Sequence, residues 1–440
     1  MTPYRTRPAR AALRGVVLLL ALLLPVTACT LAAPGDPSDS EKVTVLGPWT
    51  GDQERRFTDL LKSFGVPFAY QGTAAQREML LSQVQTGSAP HVAIMPGVGE
   101  LAEYAERGRL KPLDKILGDV ELEEYGPPWQ PRTADGMTYW VPVKADLKSI
   151  VWHRRGVVPP AGPVRMAAWC TGMGDDGASG WPGSDWIEDV VLQSQGRDVY
   201  EKWATGHPDV PWTDERIVRA WRVWGTMAAA DPEAAERALL TDHRGRTPEG
   251  GGLLFDGGGC ILEHQGSFAR AFYGRRAAEA DFTDSAPLLP GGPYRQRGYE
   301  VSADFAVLFN DTPLARELLK KLVSQEGQAR WAGTGGGGVF SARSDVSPKG
   351  GGPDQQTALR LTGGTGSVRC LDASDVMSPA VRDAFYDATL RHLADTEADP
   401  GDRRLKQRLA DIQKVQEEHK EKRRREGRPE AGLSGVCEPR

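Results

Sequence analysis

Apolar residues along this chain recur in two alternating rhythms. Val43-Thr44-Val45-Leu46 is a short β-branched run closed by Gly47-Pro48, which reads as a buried strand with a stop signal. Phe57, Leu60, Leu61 and Phe64 then fall at helical spacing across 52–64. Residues 66–70 read as a second strand, and 75–85 as a helix with Met79, Leu80 and Val84 on one face. Residues 91–95 form a third apolar run, closed by Pro96-Gly97, and 98–107 a third helix. This alternation predicts a parallel α/β sheet with helices packed on it. Ligands of such sheets usually sit at the loops beyond the strand C-termini.

The pattern changes after residue 139. Residues 139–143 and 149–153 read as extended segments around Lys144-Ala145-Asp146. Seven tryptophans (Trp169, Trp181, Trp186, Trp203, Trp212, Trp221 and Trp224) crowd the stretch 169–224, with helices expected near 186–195 and 215–229. A strand is expected at 303–309, a helix at 313–331 and an amphipathic helix at 379–394. Residues 403–428 predict a charged helix with a thin stripe of Leu405, Leu409, Ile412 and Gln416. Lying against the body, pinned through Cys437, is the simplest use of such a helix.

The first residues add a destination. Arg5, Arg7, Arg10 and Arg14 precede an apolar stretch, 15–24, and the small residues Val26-Thr27-Ala28 precede Cys29. A positive, an apolar and a small-residue region in that order form a secretory signal, and Val-Thr-Ala-Cys resembles a bacterial lipobox. The expectation is a signal peptide over 1–28, a lipid on Cys29, a Pro-rich tether over 29–41 and a protein working at the outer face of the cell membrane. The apolar stretch is short for a membrane span, which takes about 20 residues. The chain carries 54 basic and 59 acidic residues. A mildly acidic exported protein is not built to hold nucleic acid by counter-ion release. Cys170, Cys260, Cys370 and Cys437 remain for an oxidising compartment. Three pairings are possible, and the flanking sequences favour Cys170–Cys260 and Cys370–Cys437.

Several chemistries lack support. No His-Glu-x-x-His, Gly-x-Ser-x-Gly or Walker A pattern occurs, and the seven histidines are scattered. No cofactor or metal is expected. Residues 333–338 satisfy Gly-x-Gly-x-x-Gly but follow a helix where the dinucleotide motif requires a strand. Asp185 and Glu188 beside Trp181 and Trp186 could suit a secreted glycoside hydrolase, which pairs two carboxylates. Three residues apart at a helix start, the same acids serve more simply as caps and dipole partners. What remains is a tryptophan-rich α/β chain with acids and amides beside its aromatic residues. Sugars ask for that combination, since they offer apolar faces and hydroxyl pairs; a quaternary ammonium solute could also use the tryptophans.

Ordered blocks of sequence carry a resemblance. Val43 to Gly51 (VTVLGPWTG), Gly87 to Ala93 (GSAPHVA), Arg107 to Leu113 (RGRLKPL), Asp135 to Val143 (DGMTYWVPV), Gly180 to Asp189 (GWPGSDWIED) and His264 to Phe268 (HQGSF) resemble segments of the family 1, carbohydrate-type extracellular solute-binding proteins of ABC importers. The last two look like a subgroup often associated with α-glucosides. His91 stands where the family usually has Asp, and the tail beyond residue 400 exceeds what the family needs. The resemblance implies a two-lobe type II periplasmic-binding-protein fold, with a ligand cleft between lobes and crossing hinge segments near residues 143, 301 and 339. The expected divisions are an N-lobe over 42–143 and 301–338, a C-lobe over 144–300 and 339–400, and a charged helical tail over 401–440. It also implies a carbohydrate ligand, a membrane permease as partner, a monomer and no bond chemistry. A non-transport sensor or scaffold is the alternative should the cleft have drifted. The ligand-binding candidates are Trp49, Glu54, Gln71, Lys144, Asp146, Trp181, Asp185, Trp186, Gln265, Gly266, Asp304 and Arg343. Trp203, Trp212, Trp221 and Trp224 are assigned to packing.

Overall fold

The computed structural model describes residues 42–118, 122–246, 251–333, 338–346, 351–363, 366–395, 399–428 and 433–439. Cys29, the 29–41 tether and most of the glycine run at 333–338 lie outside them. Among the described residues, nine strands build two sheets. The larger has the order β2-β1-β3-β8-β4, with β9 also on β8, and the smaller has the order β6-β5-β7. The strands are β1 (Val43–Gly47), β2 (Phe68–Gly72), β3 (Val92–Met95), β4 (Trp140–Leu147), β5 (Ile150–Arg154), β6 (Leu262–His264), β7 (Ala280–Asp284), β8 (Gly298–Leu308) and β9 (Val368–Leu371).

The strand–helix alternation appears as read, through helices Gly51–Ser63, Gln76–Gln85 and Val98–Glu106. The sheet itself is mixed where the pattern predicts a parallel one. β1 runs parallel to β2 and β3, but β8 runs antiparallel to both β3 and β4. A strand that returns from a distant part of the chain enters from the opposite end, and no local periodicity records its direction.

β8 is eleven residues long and joins two regions. Its first half pairs with β9 from Gly298 to Val301, and its second half with β3 from Phe305 to Leu308. β4 runs beside it from Leu147 to Trp140, with a register shift between Pro142 and Lys144. Of the two extended segments expected around Lys144-Ala145-Asp146, the first runs on through these residues as β4 and the second is β5. All eight β4 residues are buried, Lys144 and Asp146 included. On its other side Ala145 N–H donates to Phe340 O at 2.8 Å. Three chain segments, at 140–147, 298–308 and about 340, therefore run side by side.

The expected helix over 313–331 is two, Pro313–Val323 and Gln325–Ala332. Ser324 separates them and accepts from Gly327 N–H at 3.1 Å, a side-chain cap that starts the second helix. The tryptophans of 203–224 pack inward. Trp203, Trp212 and Trp221 surround Phe385 at ring distances of 5.7, 5.0 and 5.5 Å. The C-terminal helix Arg403–Arg425 buries Leu405, Leu409, Ile412 and Gln416 against this region.

Cys170 is bonded to Cys260 and Cys370 to Cys437, the favoured pairing. The second bridge closes a separation of 67 residues and fixes the chain terminus beside β9. Replacing Cys370 and Cys437 by serine should lower unfolding free energy by about 2–4 kcal/mol. Urea denaturation under oxidising conditions measures it; a variant as stable as the parent would show that packing alone holds the terminus.

Candidate functional site

A strand turns alternate side chains to one face, so β4 aligns Lys144 with Asp146, and Lys148 follows just past its end. Lys144 Nζ pairs with Asp146 Oδ2 and lies 3.9 Å from Asp304 Oδ2, on the β8 residue directly opposite. Asp146 Oδ1 also accepts from Ser267 Oγ at 2.9 Å, and that hydroxyl accepts from Leu147 N–H at 3.0 Å. The Trp49 side chain also favours the ionised form of Asp304, against the effect of burial. Two carboxylates and one ammonium are thereby fixed at the middle of the crossing pair. Burial raises the Asp304 carboxyl to about 6, with the Lys144 charge opposing the rise.

An aromatic group lies on the other side of Ser267. Trp181 opens the helix Trp181–Gln195, half-buried, and its Nε1 donates to Asp175 Oδ2 at 2.9 Å. The indole meets the rings of His243 at 4.9 Å and Phe268 at 5.7 Å edge-on. Gln265 donates to His243 O at 3.2 Å, while its own Oε1 is buried without a hydrogen-bond partner. A buried acceptor left open costs free energy until a donor reaches it. Gly266 is required here by space: a Cβ would stand 2.5 Å from the Phe268 ring.

Lys148 ties the aromatic group to a buried acid cluster. Its Nζ lies 5.5 Å from the Trp181 ring centroid and pairs with Asp185 at 3.0 Å and with Asp372. Glu188 accepts from the Ala373 and Ser374 backbone N–H groups. Burial pushes the Asp185 and Glu188 carboxyls well up, reinforced by the Asp372 charge. Asp185, Glu188 and Asp372 bring ligand oxygens within 4.8 Å of one another, as a hard cation would need. The Lys148 ammonium already supplies positive charge between two of them.

The structure brings Trp49, Lys144, Asp146, Asp304, Gln265 and Gly266 together, with Trp181 and Asp185 linked through Lys148. Four candidates stand apart from this group. Trp186 is core, edge-on to Trp169 at 4.5 Å and stacked on His264 at 4.4 Å. Arg343 makes a two-point pair with Asp345 and donates to Val323 O at 3.0 Å. Gln71 accepts from Gln83 at 3.1 Å on an exposed surface. Glu54 is half-buried in the first turn of the Gly51–Ser63 helix. Trp49 is almost wholly covered, 4 % exposed, between Phe57 at 4.5 Å and Trp331 at 5.1 Å. Its indole reaches the polar group through Asp304, not by an open face.

Residues missing from the candidates include Lys148, Ser267, Phe268, His243 and Asp372. The alternation Lys144, Asp146, Lys148 was a usable signal for the first. Asp372, 224 positions from Lys148, had none.

Asp304 gives a pH dependence of definite sign. With its folded value near 6 and an unfolded value near 3.9, the folded chain holds the proton longer. Its contribution to stability therefore falls as pH rises from about 4 to 6, by at most about 3 kcal/mol. Asp304→Asn should abolish that fall, so its stability relative to the parent should increase across this window. Urea midpoints at pH 4.5 and 7 test it; a constant difference would refute the assignment.

Comparison with known proteins closes the question of family. The model of the bacterial extracellular solute-binding protein family matches residues 65–329. The osmoprotective compounds-binding protein GgtB of Synechocystis is 30% identical over 338 residues, covering 70% of this chain and 78% of its own. The alpha-glucosides-binding periplasmic protein AglE of Rhizobium meliloti is 30% identical over 330 residues, covering 66% and 71%. Among solved structures, a chitin oligosaccharide binding protein superposes with a TM-score of 0.66 at 15% identity, over 86% of this chain and 98% of its own. The maltose-maltodextrin binding protein of Alicyclobacillus acidocaldarius gives 0.59 at 14%, over 85% and 100%. These structural likenesses show the two-lobe type II fold. The chain belongs to the bacterial extracellular solute-binding proteins.

Proposed function

We propose that this chain is the lipid-anchored receptor of an ABC importer, capturing a di- or oligosaccharide between two lobes and passing it to a membrane permease. The observation that carries the reading is the strip Lys144, Asp146, Asp304 and Gln265 beside the half-buried Trp181. Carboxylates and an amide match hydroxyl pairs, and an indole face matches the apolar side of a pyranose. The relatives named for osmoprotective compounds and for α-glucosides support a small glycosylated solute. We assign the N-lobe to 42–143 and 301–338 and the C-lobe to 144–300 and 339–400. The three adjacent segments then serve as the hinge. Closure would shift the population toward a form that the permease reads, and Cys29 would hold the receptor at the outer face of the membrane.

No bond need be broken in this scheme. The acids of the strip already answer to Lys144, and Asp185 and Glu188 lie in a cluster around Lys148. Isothermal titration of residues 41–440 with α-linked disaccharides and glycosylated polyols, followed by chromatography of the solute, tests the proposal. Saturable binding of an unchanged solute is expected. Trp181→Ala and Asp146→Asn should each weaken it tenfold or more, about 1.4 kcal/mol. A consumed sugar, or no saturable heat with any of these solutes, would overturn it.

A further inference from the structure

The helix Val98–Glu106 carries Glu100, Glu103 and Glu106, three residues apart and so along one face. It follows β3, and Tyr104 packs on Phe309 at 5.6 Å just after β8, which fixes it to the larger sheet. Two of the acids pair with arginines from the far end of the chain: Arg382 Nη1 lies 3.3 Å from Glu100, which Arg77 also approaches at 3.5 Å, and Arg423 Nη2 lies 2.6 Å from Glu106. Glu103 pairs with Arg107 on its own side at 2.9 Å and faces the His419 imidazole, whose pKa burial lowers, at 3.6 Å. Arg428 adds a second contact to Glu106 at 3.6 Å. These pairs are largely covered, with the Glu106 and Arg423 side chains only 9 % and 11 % exposed. Shielded from water, they are screened by salt far less than surface pairs.

Arg382 lies in the helix Pro379–Ala394, whereas Arg423 and Arg428 belong to a C-terminal segment anchored on the other side. Trp212 Nε1 donates to Gln416 at 3.1 Å, Arg222 pairs with Asp402 at 2.6 Å, and Cys437 is bonded to Cys370. Between these anchors the segment touches the first side again, where Arg132 and Ser434 exchange backbone hydrogen bonds of 2.9 and 3.1 Å. Gly99 lets the two sides meet directly, since a Cβ there would stand 2.0 Å from Met377 O. A cavity of about 80 Å³ lies at the junction, lined among others by Ala102, Glu106, Thr205, Met377 and Arg423.

We propose that the C-terminal segment, through its described parts 403–428 and 433–439, is a latch between the lobes, anchored to the C-lobe by its apolar stripe and disulfide and engaging the acid face of the N-lobe helix. The inference rests on the two-lobe division given above. Opening would separate Glu106 from Arg423 and Arg428, and Arg132 from Ser434. The tail thereby sets how readily the lobes part.

Small-angle scattering of residues 41–440 without any solute tests the latch apart from the sugar reading. Glu106→Gln should enlarge the radius of gyration and speed amide exchange in Val98–Glu106 about tenfold, while β1 exchange stays unchanged. The charge exchange Glu106→Arg with Arg423→Glu should restore the compact curve that Glu106→Arg alone loses. Unchanged scattering in Glu106→Gln and Glu106→Arg would overturn the proposal. So would a charge exchange no more compact than the single variant, because the loss would then be general destabilisation.

Discussion

The pairing of β4 with β8 is the constraint on which the remainder depends. Both strands pass from one region of the molecule to the other, and both are covered by protein on nearly every residue. A strand so enclosed should be apolar, yet β4 contains Lys144 and Asp146. Burying such charges costs several kcal/mol each unless they are paired and hydrogen-bonded. The antiparallel register meets that condition by setting Asp304 opposite Lys144, and Ser267 completes Asp146 from a distant loop. The polar strip is therefore fixed by the same ladder that joins the two regions. In the proposed receptor this sets the hydroxyl-matching groups on rigid strands at the hinge.

A second set of charges extends this order outward. Lys148 lies within reach of Trp181, Asp185 and Asp372, so the aromatic platform and the chain after β9 share one buried ammonium. Burial raises the Asp185 and Glu188 carboxyls, and Asp372 stays low through Lys148 and its hydrogen bonds in spite of burial. Such networks place side chains tightly because each member answers to two or more others. The indole of Trp181, held also by Asp175, is oriented before any solute arrives.

Local features were legible in the sequence because their causes are local. The β1 run stops at Gly47-Pro48, and the Gly51–Ser63 helix follows from Phe57, Leu60 and Leu61. Trp181 stood out beside Asp185 in a block resembling the family, and Lys144 and Asp146 stood out between two extended segments. Sheet direction was not legible, since β8 arrives from more than 200 residues beyond β3. Trp186 and Trp49 show the limit for aromatic residues. Both carry the right chemistry for stacking, and burial alone distinguishes a packed indole from an offered one. Arg343 failed to join the site for a similar reason: Asp345, two residues on, takes its guanidinium.

A crystal structure with a bound solute tests the central claim most directly. The account predicts a sugar ring against Trp181, with hydroxyls within hydrogen-bond distance of Asp146, Asp304 or Gln265. A solute bound away from the β4–β8 crossing, with the Lys144 pair untouched, would contradict it.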